Sequence, residues 1–153
     1  MPRWGEALRP LYHSSVAEQS VDVLARVPLL AALGPAQLRD LAAIFREQVF
    51  EAGTTVIRQG ERGARVLAFF VLVDGEASVT IDGKEVAVLG PGEHFGEIAL
   101  FHDVPRRATV TAATELRCLA LSSWEFRPFV ENHPEVAWRL LETMAERLPE
   151  NPA

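Results

Sequence analysis

The stretch Ala77–Leu89, ASVTIDGKEVAVL, is the part of the sequence that decides the fold. Apolar and polar residues alternate on both sides of Asp82-Gly83, a dipeptide typical of a type I′ turn because both central positions need a positive φ. The stretch therefore predicts a β-hairpin. Further β-rich runs bounded by turn residues surround it: Gln48–Phe50, Thr54–Arg58, Val66–Val73, Thr109–Ala113 and Leu116–Leu121. Regular short strands of this kind predict an antiparallel β-roll or jelly roll.

Helical patterns flank the strands on both sides. On the N-terminal side, Val16–Val27 predicts a helix, Pro28–Leu33 a short turn packed against it, and Gly34-Pro35 the start of a further helix. The apolar face of that further helix would carry Leu38, Leu41, Ala42 and Phe45.

On the C-terminal side, Ser122 and Glu125 have the spacing of a capping box, and Pro134 begins a last helix. We expect the apolar stripe of that helix to carry Leu140, Leu141, Met144 and Leu148. The predicted fold class is mainly β with flanking helices: an antiparallel β-roll with N-terminal helices, a short helix within residues 95–103 and two C-terminal helices.

Length and composition limit the class of function. A chain of 153 residues predicts one domain, here residues 16–149, with a flexible N-terminal segment at 1–15 and a tail at 150–153. The net charge of -6 argues against nucleic acid and anionic membranes as partners. Neither a signal peptide nor an apolar run near the ~20 residues of a membrane span is visible, so we predict a cytoplasmic protein. The single cysteine, Cys118, is expected in the core.

The segment Leu89–Val110, LGPGEHFGEIALFHDVPRRATV, holds the candidate site. Gly96 lets the backbone approach a ligand, and the short helix after it offers N–H groups and the positive end of a dipole to an anion. Arg106 can hold two phosphate oxygens in one plane. Because Glu97 would repel a bare phosphate, we infer that the ligand also carries hydroxyl groups. A phosphate beside a sugar hydroxyl describes a nucleotide.

These residues resemble the phosphate-binding cassette of the cyclic nucleotide-binding domain family. The family pattern runs roughly F-G-E-[IL]-A-L, then P-R, then A-[TV], and it is matched by Phe95–Leu100, Pro105-Arg106 and Ala108–Val110. The resemblance extends from about Val21 to Leu148. It implies a regulatory sensor domain that is not an enzyme, with a cyclic nucleotide as ligand and no cofactor.

The resemblance also implies roles for individual residues. Glu97 would accept the ribose 2′-hydroxyl, Arg106 would pair with the cyclic phosphate, and the Gly96–Ile98 backbone would donate N–H groups. The last helix would close over the base or carry the conformational change outward. The predicted ligand-binding residues are Phe95, Gly96, Glu97, Ile98, Ala99, Arg106, Arg107 and Ala108.

Two features depart from the family pattern. Arg107 stands where Ala, Ser or Thr is usual. A threonine there favours guanine in this family, so its absence favours cAMP over cGMP, while the arginine could instead add a phosphate contact, obstruct the pocket or admit cyclic di-GMP. In addition, Gly63–Gly75 is slightly longer than the pattern predicts, which indicates a loop insertion.

Other function classes stay open at this point. The chain could be an interaction or scaffold domain whose pocket Arg107 fills. A metal-dependent cupin enzyme would need paired histidines two residues apart, but the residue two positions after His94 is Gly96, and the other histidines are scattered. Because few residues follow Leu148, we expect the effector to be another protein or a further part of a longer regulator, and a homodimer through the C-terminal helices is possible.

Overall fold

The computed structural model describes residues 20–62 and 69–146. The helices in this part are α1 at residues 20–25, α2 (Pro35–Ala42), α3 (Ser123–Asn132) and α4 (Pro134–Glu146), with two 3-10 helices, Pro28–Leu30 and Glu97–Leu100. The strands are β1 (Arg46–Phe50), β2 (Thr55–Ile57), β3 (Phe69–Asp74), β4 (Ala77–Ile81), β5 (Lys84–Leu89), β6 (His94–Phe95), β7 (Thr109–Ala112) and β8 (Leu116–Leu121). No helix within the described part is long and apolar enough to cross a membrane.

The strands form two antiparallel four-stranded sheets. The first has the order β1-β8-β3-β6 and the second has the order β2-β7-β4-β5. Strands distant in sequence are neighbours in both sheets, as when Phe69 of β3 pairs with Leu121 of β8. This architecture confirms the predicted antiparallel β-roll with flanking helices.

Strand β3 is buried on both faces. Phe69 and Val71 belong to the core between the first sheet and the helices, whereas Phe70 and Leu72 belong to the core between the two sheets. Because successive side chains of a strand point to opposite faces, a strand covered on both sides must be apolar at every position. This explains why β3 is apolar from Phe69 to Val73, whereas β5, which is exposed along most of its length, also carries Lys84 and Glu85.

The helices cover the outer face of the first sheet. Their buried side chains form one cluster with β3 and β8, and this cluster includes Leu24, Leu41, Phe126, Val136 and Leu140. Leu100, from the 3-10 helix Glu97–Leu100, belongs to the same cluster. The candidate site is thereby connected to the helical layer through a buried side chain.

Several local predictions are confirmed. Asp82 and Gly83 have φ values of 52° and 78°, as a type I′ turn between β4 and β5 requires. Pro35 occupies the first turn of α2, and the N–H of Gly34 donates to Gln37 Oε1 at 3.0 Å, a contact that the sequence analysis missed. The capping box at Ser122 forms only in part. The Ser122 hydroxyl accepts from the Glu125 N–H at 3.2 Å, but the Glu125 carboxylate accepts from that hydroxyl at 2.9 Å and from Arg46 Nη2 at 3.1 Å, whereas a complete box would bring it to the Ser122 backbone N–H.

The predicted stripe of α4 is wrong in part. The buried residues of this helix are Val136, Leu140 and Thr143, while Leu141 is 58% exposed and Met144 is 37% exposed. Thr143 can lie on the buried face because its hydroxyl donates to the Arg139 carbonyl at 3.0 Å. The predictions for residues 1–15, the helix before residue 20, the first part (63–68) of the Gly63–Gly75 insertion, Leu148 and the tail concern segments outside the described residues.

Cys118 lies in the core between the two sheets, as predicted. Its side chain has no exposed surface, and burial raises the pKa of its thiol to about 12. The thiol therefore stays protonated and behaves as a small apolar group.

The turn at Gly75 is closed by the turn that precedes β8. Gly75 has a φ of 89°, and a Cβ at this position would overlap the backbone oxygen of Glu115. Hydrogen bonds join the same two turns: Glu76 N–H donates to Thr114 Oγ1 at 3.0 Å, and Ala113 N–H donates to Glu76 O at 2.9 Å. The close approach of these turns requires glycine at position 75.

We predict that Gly75→Ala destabilises the domain more than Gly53→Ala. Gly53 has nearly the same φ, 88°, but nothing lies within 4 Å of the position of its Cβ. The control should lose about 1 kcal/mol from the left-handed backbone alone, and Gly75→Ala about 1–3 kcal/mol more from overpacking. Urea denaturation followed by circular dichroism measures both free energies of unfolding. Equal losses in the two variants would contradict the proposed contact.

Candidate functional site

The candidate site begins where β6 ends. Strand β6 pairs with β3, with His94 opposite Val71 and Phe95 opposite Phe70, and the rings of Phe95 and Phe70 stack with their centroids 4.9 Å apart. Gly96 follows with a φ of 84°, in the left-handed region that favours glycine. The backbone can therefore turn directly from the sheet into the 3-10 helix Glu97–Leu100, which we call the cassette helix.

Arg106 is held at its backbone by the turn after β2. The Gly60 N–H donates to the Arg106 carbonyl at 2.8 Å, and the Arg106 N–H donates to the Glu61 carbonyl at 2.9 Å. Three residues later, Thr109 begins β7, and its hydroxyl accepts from the Gln59 N–H at 2.9 Å. The guanidinium is thus carried by a segment that is fixed to the second sheet on both sides of residues 107–108.

The environment of Arg106 is suited to an anion. The residue is half-buried, and this burial lowers the pKa of its guanidinium, while the carboxylates of Glu61 and Asp103 act in the opposite direction. An arginine remains charged even when its pKa is lowered. A partly desolvated cation gains more from an anionic partner than one in bulk water does, because the local dielectric constant is lower.

Glu97 is the acidic side chain of the site. It occupies the first turn of the cassette helix, and its Oε2 lies 3.6 Å from Nδ1 of His94. Both of these atoms are buried. The imidazole of His94 therefore lies beside the Glu97 carboxylate.

A cavity of about 250 Å³ lies between the cassette helix and the second sheet. It is lined by Ile57, Val79, His94, Phe95, Gly96, Glu97, Ile98, Ala99, Val104, Pro105, Arg106, Arg107, Ala108 and Val110. All eight of the residues predicted to bind ligand are among them. The cavity combines an apolar wall with one carboxylate and two guanidinium groups, which suits a small ligand that is both anionic and hydroxylated.

Sequence reasoning missed the other part of the lining. Ile57, Val79 and Val110 come from three strands of the second sheet, and Val110 pairs with both Ile57 and Val79 across the ladder. Inward alternation along these strands could have indicated that they face the interior. The alternation does not indicate which part of the interior remains open.

Two site predictions are refined by the structure. The short helix is a 3-10 helix of four residues, so its dipole is small and its contribution to an anion site would come from individual N–H groups. Arg107 is exposed, although it lines the cavity, and the cavity is open rather than filled. The local geometry therefore does not support obstruction of the cavity by Arg107.

Together, the fold and the cavity define a β-roll domain with a largely apolar cavity at the cassette helix that carries a carboxylate and two arginines. A sequence model described as "Cyclic nucleotide-binding domain" matches residues 47–133. The chain belongs to the cyclic nucleotide-binding domain family, and this confirms the resemblance inferred from Phe95–Leu100 and Pro105-Arg106.

Curated relatives include regulatory and channel proteins. The chain is 41% identical to a cAMP-dependent protein kinase regulatory subunit from Yarrowia lipolytica, over 84% of this chain and 31% of that protein. It is 40% identical to a cyclic nucleotide-gated potassium channel from Mesorhizobium japonicum, over 82% of this chain and 34% of that protein. The matched region thus spans about a third of these relatives.

Solved structures share the fold. The N-terminal domain of a transcriptional regulator from Streptomyces coelicolor A3(2) is 40% identical, with a TM-score of 0.73 over 82% of this chain and 89% of that chain. The regulatory domain of Toxoplasma gondii PKA, crystallised with cAMP, is 32% identical, with a TM-score of 0.66 over 76% of this chain and 45% of that chain.

Proposed function

We propose that the domain is a sensor that binds cAMP in the cavity at the cassette helix and catalyses no reaction. The observation that carries the proposal is that Glu97 and the half-buried Arg106 line the same cavity of about 250 Å³. Arg106 pairs with the cyclic phosphate, Glu97 accepts the ribose 2′-hydroxyl, and the Gly96–Ile98 backbone donates N–H groups to the phosphate. The relative from Toxoplasma gondii, which was crystallised with cAMP, supports the choice of ligand.

The remaining predicted residues form the walls of the site. Phe95, Ile98, Ala99 and Ala108 line the cavity beside the two charged groups, and Arg107 lies at its exposed side. The size of the cavity favours one nucleotide over cyclic di-GMP, because about 250 Å³ is already near the lower end of small-molecule sites.

We further propose that ligand binding acts on α3 and α4 through the cassette helix. Leu100 of that helix is buried in the same cluster as Phe126 and Leu140, and the ring of Phe101 meets the ring of Phe126 edge-on at 5.4 Å. A shift of the cassette helix towards the phosphate would change both contacts. A ligand moves such an equilibrium only by binding one arrangement more tightly than the other.

An effector would then contact the exposed side of the C-terminal helices. Trp138 is 65% exposed and lies on α4 with Leu141 and Met144, away from the buried face of the helix. We propose this side as the contact with an effector or with a second copy of the chain. The domain would report the concentration of cyclic nucleotide to that partner.

Isothermal titration calorimetry with cAMP, cGMP and cyclic di-GMP tests the proposed function. We expect one molecule of cAMP to bind per chain, with weaker binding of cGMP and none of cyclic di-GMP. The absence of heat and of a thermal shift with all three would refute the proposal and favour a scaffold domain.

Replacement of Arg106 tests the phosphate contact. Arg106→Ala should weaken cAMP binding by about 2–5 kcal/mol, as for the loss of one partner of a buried charge pair. The matched control is Arg39→Ala, since Arg39 is an exposed arginine on α2, outside the cavity. Calorimetry measures both variants. Binding by Arg106→Ala within threefold of wild type would contradict the role of Arg106.

Replacement of Glu97 tests the sugar contact. Glu97→Gln should bind cAMP and 2′-deoxy-cAMP with more similar affinities than wild type does, because an amide oxygen is a weaker acceptor than a carboxylate. Glu93→Gln, a change in the preceding loop outside the cavity lining, is the control. If wild type already binds both ligands equally, the assignment of Glu97 is wrong.

Replacement of Arg107 tests the preference for the base. Arg107→Thr should raise the affinity for cGMP relative to cAMP, because it introduces a hydroxyl that can bond to guanine. Arg107→Ala is the matched control, since it removes the guanidinium without adding a hydroxyl. Competition against a fluorescent cyclic nucleotide gives the two affinities. An unchanged ratio in Arg107→Thr would contradict the proposed origin of the cAMP preference.

A further inference from the structure

We propose that His94 is a positioning residue for Glu97 and makes recognition of the ribose hydroxyl dependent on pH. The inference rests on the proposed function, because it concerns how Glu97 in the same cavity recognises the ribose 2′-hydroxyl of the ligand. Its starting point is the 3.6 Å separation between His94 Nδ1 and Glu97 Oε2. This separation is longer than a hydrogen bond, yet it is short enough for a strong interaction between opposite charges.

The imidazole is held in place by its surroundings. Strand β6 fixes the His94 backbone opposite Val71 of β3, and the ring meets the buried ring of Phe69 at an angle of 62°, with 5.7 Å between the centroids. Nδ1 is buried, and no hydrogen bond reaches it from any group within residues 20–62 and 69–146. The ring therefore presents a polar nitrogen to the Glu97 carboxylate.

The effect of protonating His94 depends on the charged groups around the His94–Glu97 pair. The strand β3 presents the apolar side chains of Phe69 and Val71 beside the ring. Within the cavity lining the other charged groups are Glu97, Arg106 and Arg107, and the neighbouring Glu93 is exposed, its Oε1 accepting from the Gly90 N–H at 3.1 Å. Glu97 is thus the carboxylate closest to Nδ1 among the groups that the structure describes.

The interaction between His94 and the Glu97 carboxylate differs between the two charge states of the imidazole. The imidazolium carries a positive charge and an N–H at both nitrogens, so it would draw Glu97 Oε2 into a charge-assisted hydrogen bond. A carboxylate has lone pairs enough to accept this bond and still accept a ribose hydroxyl. With the neutral ring this attraction weakens, so the Glu97 carboxylate loses one of the interactions that orient it. An imidazole ordinarily changes charge between about pH 5 and pH 8.

The affinity ratio of cAMP to 2′-deoxy-cAMP isolates this effect. A positive charge near the cavity attracts the phosphate of both ligands alike, so a general electrostatic effect cancels in the ratio. Only the contact with the 2′-hydroxyl remains, and this is the contact assigned to Glu97. The ratio should therefore rise as the pH falls and His94 becomes protonated.

The experiment is competition binding of both ligands to the purified wild-type chain at several pH values between about 5.5 and 8. We expect the ratio to be about fivefold higher at the acid end, a coupling at the lower end of the range for interacting sites. His94→Gln should give a ratio that does not change with pH. His102→Gln, which changes an exposed histidine outside the cavity lining, should retain the wild-type profile.

A second variant guards against a loss of folding in His94→Gln. His94→Phe keeps an aromatic ring against Phe69 and cannot titrate, so it should also give a flat ratio. A wild-type ratio that is constant over the pH range, or one that still varies in both His94 variants, would overturn the inference while leaving cAMP binding established. Failure of the wild type to bind either ligand at any pH would overturn the proposed function as well.

Discussion

The burial of β3 on both faces is the constraint on which the rest of the structure depends. Phe70 and Leu72 close the space between the two sheets, while Phe69 and Val71 hold the helical layer against the first sheet. In the first sheet, β8 pairs along one edge of β3, and the short strand β6 pairs along the other. The cassette helix begins two residues after that second pairing, so its location is set by the register of β6 on β3.

Arg106 is a half-buried cation in the lining of the cavity. Burial lowers the pKa of Arg106 because the guanidinium has lost part of its hydration, and the carboxylates of Glu61 and Asp103 restore only part of that loss. Hydrogen bonds of the Arg106 backbone with Gly60 and Glu61 fix the position of its main chain. Under the proposed function, a cyclic phosphate that enters the cavity would be the anionic partner of this guanidinium.

The features predicted correctly from the sequence are those that depend on neighbouring residues, whereas features that depend on contacts between distant strands were missed. The Asp82-Gly83 turn, the strand Leu116–Leu121 and the cassette helix were predictable because each depends on a few neighbouring residues. The two-residue strand β6 was not, since only its partner β3 makes it a strand. The buried face of α4 was mistaken because Thr143 satisfies its hydroxyl within the helix, so a polar residue takes the place expected for an apolar one. The eight predicted ligand-binding residues come from one motif, but the fact that Ile57 and Val79 line the same cavity depends on sheet pairing that no motif encodes.

The single thiol, Cys118, can report when the two sheets separate. Cys118 faces the core between the sheets, where Ile57 and Val110 of the second sheet and Phe70 and Leu72 of the neighbouring strand β3 belong to the same cluster. A thiol reagent can reach it only after the sheets have parted, and its pKa of about 12 keeps it unreactive until then. The rate at which a reagent modifies Cys118 therefore measures how often the two sheets separate. A ligand that stabilises the closed domain would lower this rate without contacting the sulfur.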